Sequence, residues 1–98
     1  MTYSVVVDVL VLKKDFQKIG PEDQRKIIRA IRHRLTTRPK DYGKPLKGEL
    51  KGFWKLRVGQ FRVIYEIRDD QVVVSVIMVG FRRDEEVYRA ALAGLGLH

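Results

Sequence analysis

The chain has 98 residues, 45% of them hydrophobic, which suits one small domain with a single core, spanning residues 1–98. It contains no cysteine, which excludes disulfides and thiolate metal sites and favours a reducing cytoplasm as the location. Lysine and arginine total 20 against 12 acidic residues, and the net charge of +8 favours a nucleic acid, the ribosome or an acidic protein as partner, with generic solubility charge as the alternative.

The first half of the chain predicts a strand followed by two helices. Residues 3–9 are rich in β-branched side chains and predict a strand. This apolar run is too short to cross a membrane and lacks the basic region that begins a secretory signal, so no membrane partner is predicted. Apolar residues at helical spacing predict a first helix over roughly residues 10–19, which Gly20 would end in a left-handed conformation. Pro21 suits the first turn of a second helix, whose apolar stripe is Ile27, Ile28, Ile31 and Leu35.

The segment that follows the second helix is predicted to be a loop. The run from Thr36 to Pro39 should stop the helix, because the residue before a proline avoids helical geometry. Residues 40–52 contain three glycines, one proline and four lysines, a composition typical of loops. Leu46 and Leu50 are expected to fix this loop to the core.

A β-hairpin is predicted around Gly59-Gln60, where glycine can supply the positive φ of a two-residue turn. Because side chains alternate along strands, the pairs Trp54–Tyr65, Leu56–Val63 and Val58–Phe61 form one apolar face. Residues 72–79 predict a central strand, and Asp84 can cap a last helix. The order β-α-α-β-β-β-α predicts an α+β fold, with a mainly antiparallel sheet and an N-terminal helical hairpin on one face.

The other face of the hairpin is basic. Lys55, Arg57 and Arg62 project from it, and Arg57 lies directly opposite Arg62, although like charges across a strand pair are unfavourable. One interpretation is a solvated surface on which long side chains splay apart. The other is a phosphate-binding site, which the clustering of cations favours. Further basic residues that could contact RNA or the ribosome are Lys47, Lys51 and Arg83, and Arg82 could hold a phosphate together with Arg62.

Few residues could move protons on a bound RNA. Histidine usually does so near neutral pH, but His33 lies between two arginines on the second helix and His98 is the last residue. Tyr88 remains, because surrounding cations would favour tyrosinate and lower its pKa, and Lys55 could act as base or as electrostatic support. A tyrosine packed on the last helix is the competing interpretation of Tyr88. The carboxylates are scattered over turns and helix starts, so neither a metal nor another cofactor is predicted.

Several motifs resemble the RelE/ParE superfamily of bacterial and archaeal toxins of toxin–antitoxin systems. They are Leu46-Lys47-Gly48, Trp54-Lys55-Leu56-Arg57, Phe61-Arg62-Val63-Ile64-Tyr65, Val79-Gly80 and Val87-Tyr88. The resemblance implies a fold like that of microbial ribonucleases. It also implies a cognate antitoxin as partner, in a toxin–antitoxin hetero-oligomer.

Within the superfamily the residues look more like the RelE branch. Toxins of that branch cut mRNA in the ribosomal A site by attack of the 2′-hydroxyl, leaving a 2′,3′-cyclic phosphate. The resemblance places the working positions at Tyr88, Arg62, Arg82, Lys55 and Arg57. The family often has lysine where Arg57 stands, and arginine would stabilise charge there without readily transferring a proton. ParE-type toxins, which inhibit DNA gyrase, usually lack this full set. A ribosome-dependent, metal-independent mRNA endonuclease is therefore predicted, with a gyrase inhibitor or a non-catalytic RNA-binding domain as alternatives.

Overall fold

A computed structural model of the chain describes residues 2–81. Five strands form one sheet: β1 (Ser4–Val7), β2 (Lys44–Pro45), β3 (Phe53–Val58), β4 (Phe61–Arg68) and β5 (Val73–Phe81). Their order across the sheet is β1-β5-β4-β3-β2, and β1 runs parallel to β5 while the other neighbours are antiparallel. This arrangement confirms the predicted α+β fold with a mainly antiparallel sheet. The predicted last helix lies outside the described residues.

Helical segments fill the chain between β1 and β2. A π-helical turn, Val11–Asp15, and a 3₁₀ turn, Phe16–Lys18, precede α1 (Pro21–Ala30), which continues into a second π-helical turn, Ile31–Leu35. The prediction for Gly20 is wrong, since its φ is −64° and it caps the start of α1. The first helical segment has already ended at Ile19, whose backbone is extended, so no left-handed residue is needed there. Between residues 2 and 81, none of the helices is long and apolar enough to cross a membrane.

Short regular elements occupy the segment that was predicted to be a loop. They are α2 (Pro39–Tyr42), β2 and a 3₁₀ turn, Gly48–Leu50. The two residues of β2 gain strand geometry from pairing with β3, in which Lys44 lies opposite Lys55 and Pro45 opposite Trp54. Such pairing is a tertiary contact, which the local composition of glycine, proline and lysine does not reveal.

The hydrophobic core lies between the helical segments and one face of the sheet. The predicted hairpin register is confirmed, with Trp54 opposite Tyr65, Leu56 opposite Val63 and Val58 opposite Phe61. Gly59 takes the positive φ that the turn requires, at 57°. The helical segments bury Val11, Phe16, Ile19, Ile27, Ala30, Ile31 and Leu35 against Leu56, Phe61, Val63, Tyr65, Val74, Val76 and Val79. The helices therefore cover the apolar face, as predicted, and leave the basic side chains on the other.

Candidate functional site

Two predicted site residues, Arg57 and Arg62, stand side by side on the sheet face opposite the helical segments. Arg57 on β3 lies opposite Arg62 on β4, and Arg62 lies opposite Gly80 on β5. Because Gly80 has no side chain, β5 adds no bulk to the sheet surface beside Arg62. Two strands and a tight turn thus place the backbones of two arginines next to each other on a rigid support.

A second row of residues crosses the same face. Lys44 on β2 lies opposite Lys55 on β3, which lies opposite Ile64 on β4. Ile64 is fully buried whereas Arg57 and Lys44 are exposed, so this face is open only in part. Lys55 is two residues from Arg57 on one strand, and alternation therefore brings both side chains to this face.

The basic side chains of this face border a pocket of about 150 Å³. Its lining consists of Tyr42, Lys44, Lys55, Arg57 and Arg62. The structure therefore brings together the three site residues predicted on the hairpin. It adds Tyr42 and Lys44, which the sequence analysis missed because they belong to the segment predicted as a loop. No sequence pattern indicates these two residues. The pairing of β2 with β3 brings them to the pocket, and this pairing is seen only in the folded chain.

The backbone that carries Tyr42 and Lys44 is fixed by the core. Tyr65 is fully buried, and its hydroxyl donates a hydrogen bond of 2.5 Å to the carbonyl oxygen of Pro39. Gly43 lies so close to β3 and β4 that a Cβ atom there would be 1.7 Å from the Tyr65 hydroxyl oxygen and 2.9 Å from the carbonyl oxygen of Lys55. Only glycine allows this approach, which brings Tyr42 and Lys44 to the pocket.

An ionic contact also ties α2 to the far end of the sheet. The Lys40 ammonium lies 2.8 Å from one carboxylate oxygen of Asp69, and the Tyr3 hydroxyl donates to the other at 2.7 Å. These hydrogen bonds from Lys40 and Tyr3 hold the pKa of the Asp69 carboxyl below its ordinary value. Asp69 follows β4, so the contact links the start of α2 to the β4–β5 turn.

The pocket lowers the pKa of Lys55. Partial burial lowers the pKa of its ammonium, and the neighbouring charges of Arg62, Lys44 and Arg57 lower it further. A lysine in this state loses its proton more readily than an ordinary lysine, so it can serve in proton transfer as well as in binding an anion. Arginines keep their charge and suit phosphate binding.

Replacing Lys55 with methionine is expected to stabilise the protein at neutral pH by roughly 0.2–1 kcal/mol, because it removes a charge that is partly buried and is also repelled by its neighbours. The unfolded chain holds the Lys55 proton more tightly than the folded chain does, so the stability of the unchanged protein rises with pH as that proton is lost. The difference in free energy of unfolding between the variant and the parent should therefore become smaller toward alkaline pH. Urea unfolding at pH 7 and pH 10 measures this difference. Lys26→Met, at an exposed position on α1, is the matched control. A destabilised Lys55→Met protein would contradict the expectation.

Other predicted site residues lie elsewhere. Lys47 and Lys51 are exposed, flank the 3₁₀ turn before β3 and do not line the pocket. Tyr88, Arg82 and Arg83 lie outside the described residues. Across residues 2–81 no three histidine or acidic side chains are grouped so that they could hold a metal ion.

The known proteins to which this chain is similar are toxins. A family model described as "ParE toxin of type II toxin-antitoxin system, parDE" matches residues 11–86. Toxin RelG of Mycobacterium tuberculosis is 31% identical over 77 residues, which are 79% of this chain and 86% of RelG.

Solved structures agree with these matches. The toxin–antitoxin complex RelBE2 of Mycobacterium tuberculosis contains a chain that superposes with a TM-score of 0.79 at 28% identity, covering 86% of this chain and 95% of that one. A mutant of Escherichia coli toxin RelE in the free state gives a TM-score of 0.62 at 30% identity, covering 95% and 97%. An archaeal RelE–RelB complex from Pyrococcus horikoshii shares the fold, with a TM-score of 0.61 at 20% identity.

Proposed function

This chain belongs to the RelE/ParE superfamily of toxins of type II toxin–antitoxin systems, and we propose its function on that basis. The toxin is proposed to be an endoribonuclease that cuts mRNA in the ribosomal A site and so stops translation. The observation that carries this proposal is the cationic pocket, in which Lys55, Arg57 and Arg62 converge on one rigid sheet face.

The pocket suits cleavage by the 2′-hydroxyl of the RNA itself. In this reaction the 2′-oxygen loses its proton and attacks the adjacent phosphorus, the bond to the 5′-oxygen breaks, and that oxygen takes up a proton. The products are a 2′,3′-cyclic phosphate and a free 5′-hydroxyl. Arg62 would hold the scissile phosphate and stabilise the charge that grows on it, and Arg57 would add to that field. Lys55, with its lowered pKa, would exchange a proton or support the charge.

The remaining roles follow from the resemblance of the sequence to the RelE branch. Tyr88 would take the proton of the 2′-hydroxyl, and Arg82 would hold the phosphate together with Arg62. Lys47, Lys51 and Arg83 would contact mRNA or ribosomal RNA. The proposal requires no metal ion, because protons and phosphate charge are both handled by side chains.

Dependence on the ribosome fits the shape of the site. The pocket is small, at about 150 Å³, and lies on a sheet face that is partly open to solvent. Such a site holds a phosphate but does not by itself force the 2′-oxygen into line with the leaving oxygen, and this alignment can supply several kcal/mol of rate enhancement. The ribosome would align the mRNA, so free RNA should be cut poorly.

A cognate antitoxin is proposed as the partner that neutralises the toxin. The solved relatives include toxin–antitoxin complexes, among them RelBE2 of Mycobacterium tuberculosis. The net charge of +8 favours an antitoxin segment that carries acidic residues where it meets the basic face.

Two variants test the nuclease assignment. Tyr88→Phe and Arg82→Ala are each expected to lower cleavage of mRNA on programmed ribosomes by at least roughly 100-fold, since one removes the proton acceptor and the other a phosphate contact. Gel analysis of a labelled mRNA gives the rate, and circular dichroism checks the fold. Tyr3→Phe and Arg68→Ala are matched controls, because neither side chain lines the pocket. Full cleavage by both test variants would overturn the assignment.

The second candidate is inhibition of DNA gyrase without nuclease activity. It is favoured by one observation, the ParE description of the family model that matches residues 11–86. This candidate predicts that the toxin blocks gyrase supercoiling and leaves mRNA intact on programmed ribosomes. The nuclease proposal predicts the reverse in the same two assays.

A further inference from the structure

An exposed aromatic ring stands at the edge of the cationic pocket. Tyr42 lines the pocket together with Lys44, Lys55, Arg57 and Arg62, and 53% of the residue is accessible to solvent. Among the described residues that line the pocket, Tyr42 is the only aromatic one. Proteins that hold single-stranded RNA combine these two elements, cations for the backbone and aromatic rings on which bases stack.

The ring of Tyr42 is supported by a cation that does not line the pocket. The Arg34 guanidinium lies over the ring, 5.8 Å from its centroid, at a distance typical of cation–π contacts. Arg34 follows α1 and does not line the pocket. The contact therefore favours one orientation of the ring while much of the residue stays accessible.

The position of Tyr42 relative to the cations is also fixed through the backbone. Its neighbour Gly43 packs against the buried Tyr65 and the backbone of Lys55, and Tyr65 holds the carbonyl of Pro39 at the start of α2. The Tyr42 ring is thus held at a set place beside Lys55. A preset ring loses little freedom when it stacks on a ligand, which favours binding.

We propose that Tyr42 is a stacking platform for an RNA base next to the phosphate that Lys55 and Arg62 bind. This role rests on the proposed function, because it assigns the pocket to RNA. It makes Tyr42 a positioning residue: stacking fixes the nucleotide, and the cations fix its phosphate. The ring carries the interaction, and the hydroxyl is not required.

The test uses the full chain and a labelled hexanucleotide whose riboses are all 2′-O-methylated, so that the 2′-oxygen cannot attack. Tyr42→Ala is expected to weaken its binding by roughly 5- to 100-fold, the range of losses for a single stacked base. Tyr42→Phe should retain binding within about twofold, since its ring presents the same face. A second probe has the same phosphates but no bases, and Tyr42→Ala should leave its affinity unchanged. Fluorescence anisotropy measures binding, and thermal unfolding checks the fold of each variant.

Several results would overturn the stacking role. They are equal binding of the hexanucleotide by Tyr42→Ala and the unchanged protein, equal losses on both probes, a loss with Tyr42→Phe as large as with Tyr42→Ala, and no measurable binding by the unchanged protein. The proposed function is tested separately by cleavage on programmed ribosomes with the unchanged protein. Failure of that cleavage together with the expected binding pattern would refute the nuclease and leave the stacking role supported.

Discussion

Replacing Arg62 with alanine is expected to lower the rate of mRNA cleavage on programmed ribosomes by roughly 100- to 1,000-fold, the usual cost of losing one group that stabilises transition-state charge. Arg62 lies at the centre of the cationic face, opposite Arg57 on one side and the side-chain-free Gly80 on the other. It also lines the pocket beside Lys55. A phosphate bound there would contact a guanidinium that two neighbouring strands hold in place.

Two further variants make the Arg62 experiment specific. Arg62→Lys keeps the charge but loses the paired donors of the guanidinium, so its rate should fall between those of the parent and Arg62→Ala. Arg68→Ala removes an exposed arginine of the same strand, which pairs with Glu66 at 3.1 Å, and should cleave at the parental rate. Single-turnover cleavage of an end-labelled mRNA measures all three. Parental cleavage by Arg62→Ala would show that the pocket is not the reaction site.

Gly43→Ala is expected to lower the free energy of unfolding strongly, because the added methyl group has no space. Its new Cβ would lie 1.7 Å from the Tyr65 hydroxyl oxygen and 2.8 Å from Cζ of the same ring. Tyr65 is fully buried in a packed core and has no room to retreat, and the Lys55 carbonyl at 2.9 Å blocks the other direction. Overpacking of this kind costs about 1–3 kcal/mol or more. Urea unfolding measures the loss.

The chain also provides controls for the Gly43 experiment. Gly20 has φ of −64° and nothing within 4 Å of its Cβ position, so Gly20→Ala should cost less than about 1 kcal/mol, as expected for a helix N-cap. Tyr65→Phe alone leaves the Pro39 carbonyl without its donor and should cost about 1–3 kcal/mol. Combined with Gly43→Ala, it removes the closest clash, so the double variant should lose less than the sum of the two single losses. An unchanged unfolding midpoint for Gly43→Ala would refute the tight approach.

The Gly43 variant also connects stability with function. The residues on either side of Gly43, Tyr42 and Lys44, both line the pocket. A shift of this backbone away from Tyr65 would move them relative to Lys55. The folded fraction of Gly43→Ala should therefore cleave mRNA more slowly than the parent, whereas Gly20→Ala should not.

The hairpin and its two faces could be predicted from the sequence because both depend on local rules. Gly59 marks the turn, and strict alternation then separates Leu56 and Val63 from Arg57 and Arg62. Each of these residues keeps its predicted register in the structure. The order of β1, the helical segments, β3, β4 and β5 followed from hydrophobic spacing in the same way, whereas α2 and β2 were not predicted.

The pocket residues Tyr42 and Lys44 could not be predicted, because their position depends on contacts between residues that are far apart in the sequence. The composition around Tyr42 and Lys44 is typical of a loop, and only the pairing of Lys44 with Lys55 and the packing of Gly43 on Tyr65 give it structure. The left-handed conformation predicted for Gly20 was wrong because the local sequence is ambiguous there. Glycine suits both a left-handed helix end and a helix N-cap. Residue chemistry named Tyr88 and Lys55 as candidates for proton transfer, and the resemblance to RelE toxins favoured that role of Tyr88 over a tyrosine that only packs on the last helix.

The 3′ end left on the mRNA tests most directly whether this toxin cleaves by 2′-hydroxyl attack. Ribosomes carrying a defined mRNA with an empty A site are incubated with the full-length toxin, and the position and end group of the upstream fragment are determined. We predict one cut within the A-site codon and a 2′,3′-cyclic phosphate on that fragment. Intact mRNA, or fragments ending in a 3′-hydroxyl, would contradict the proposed function.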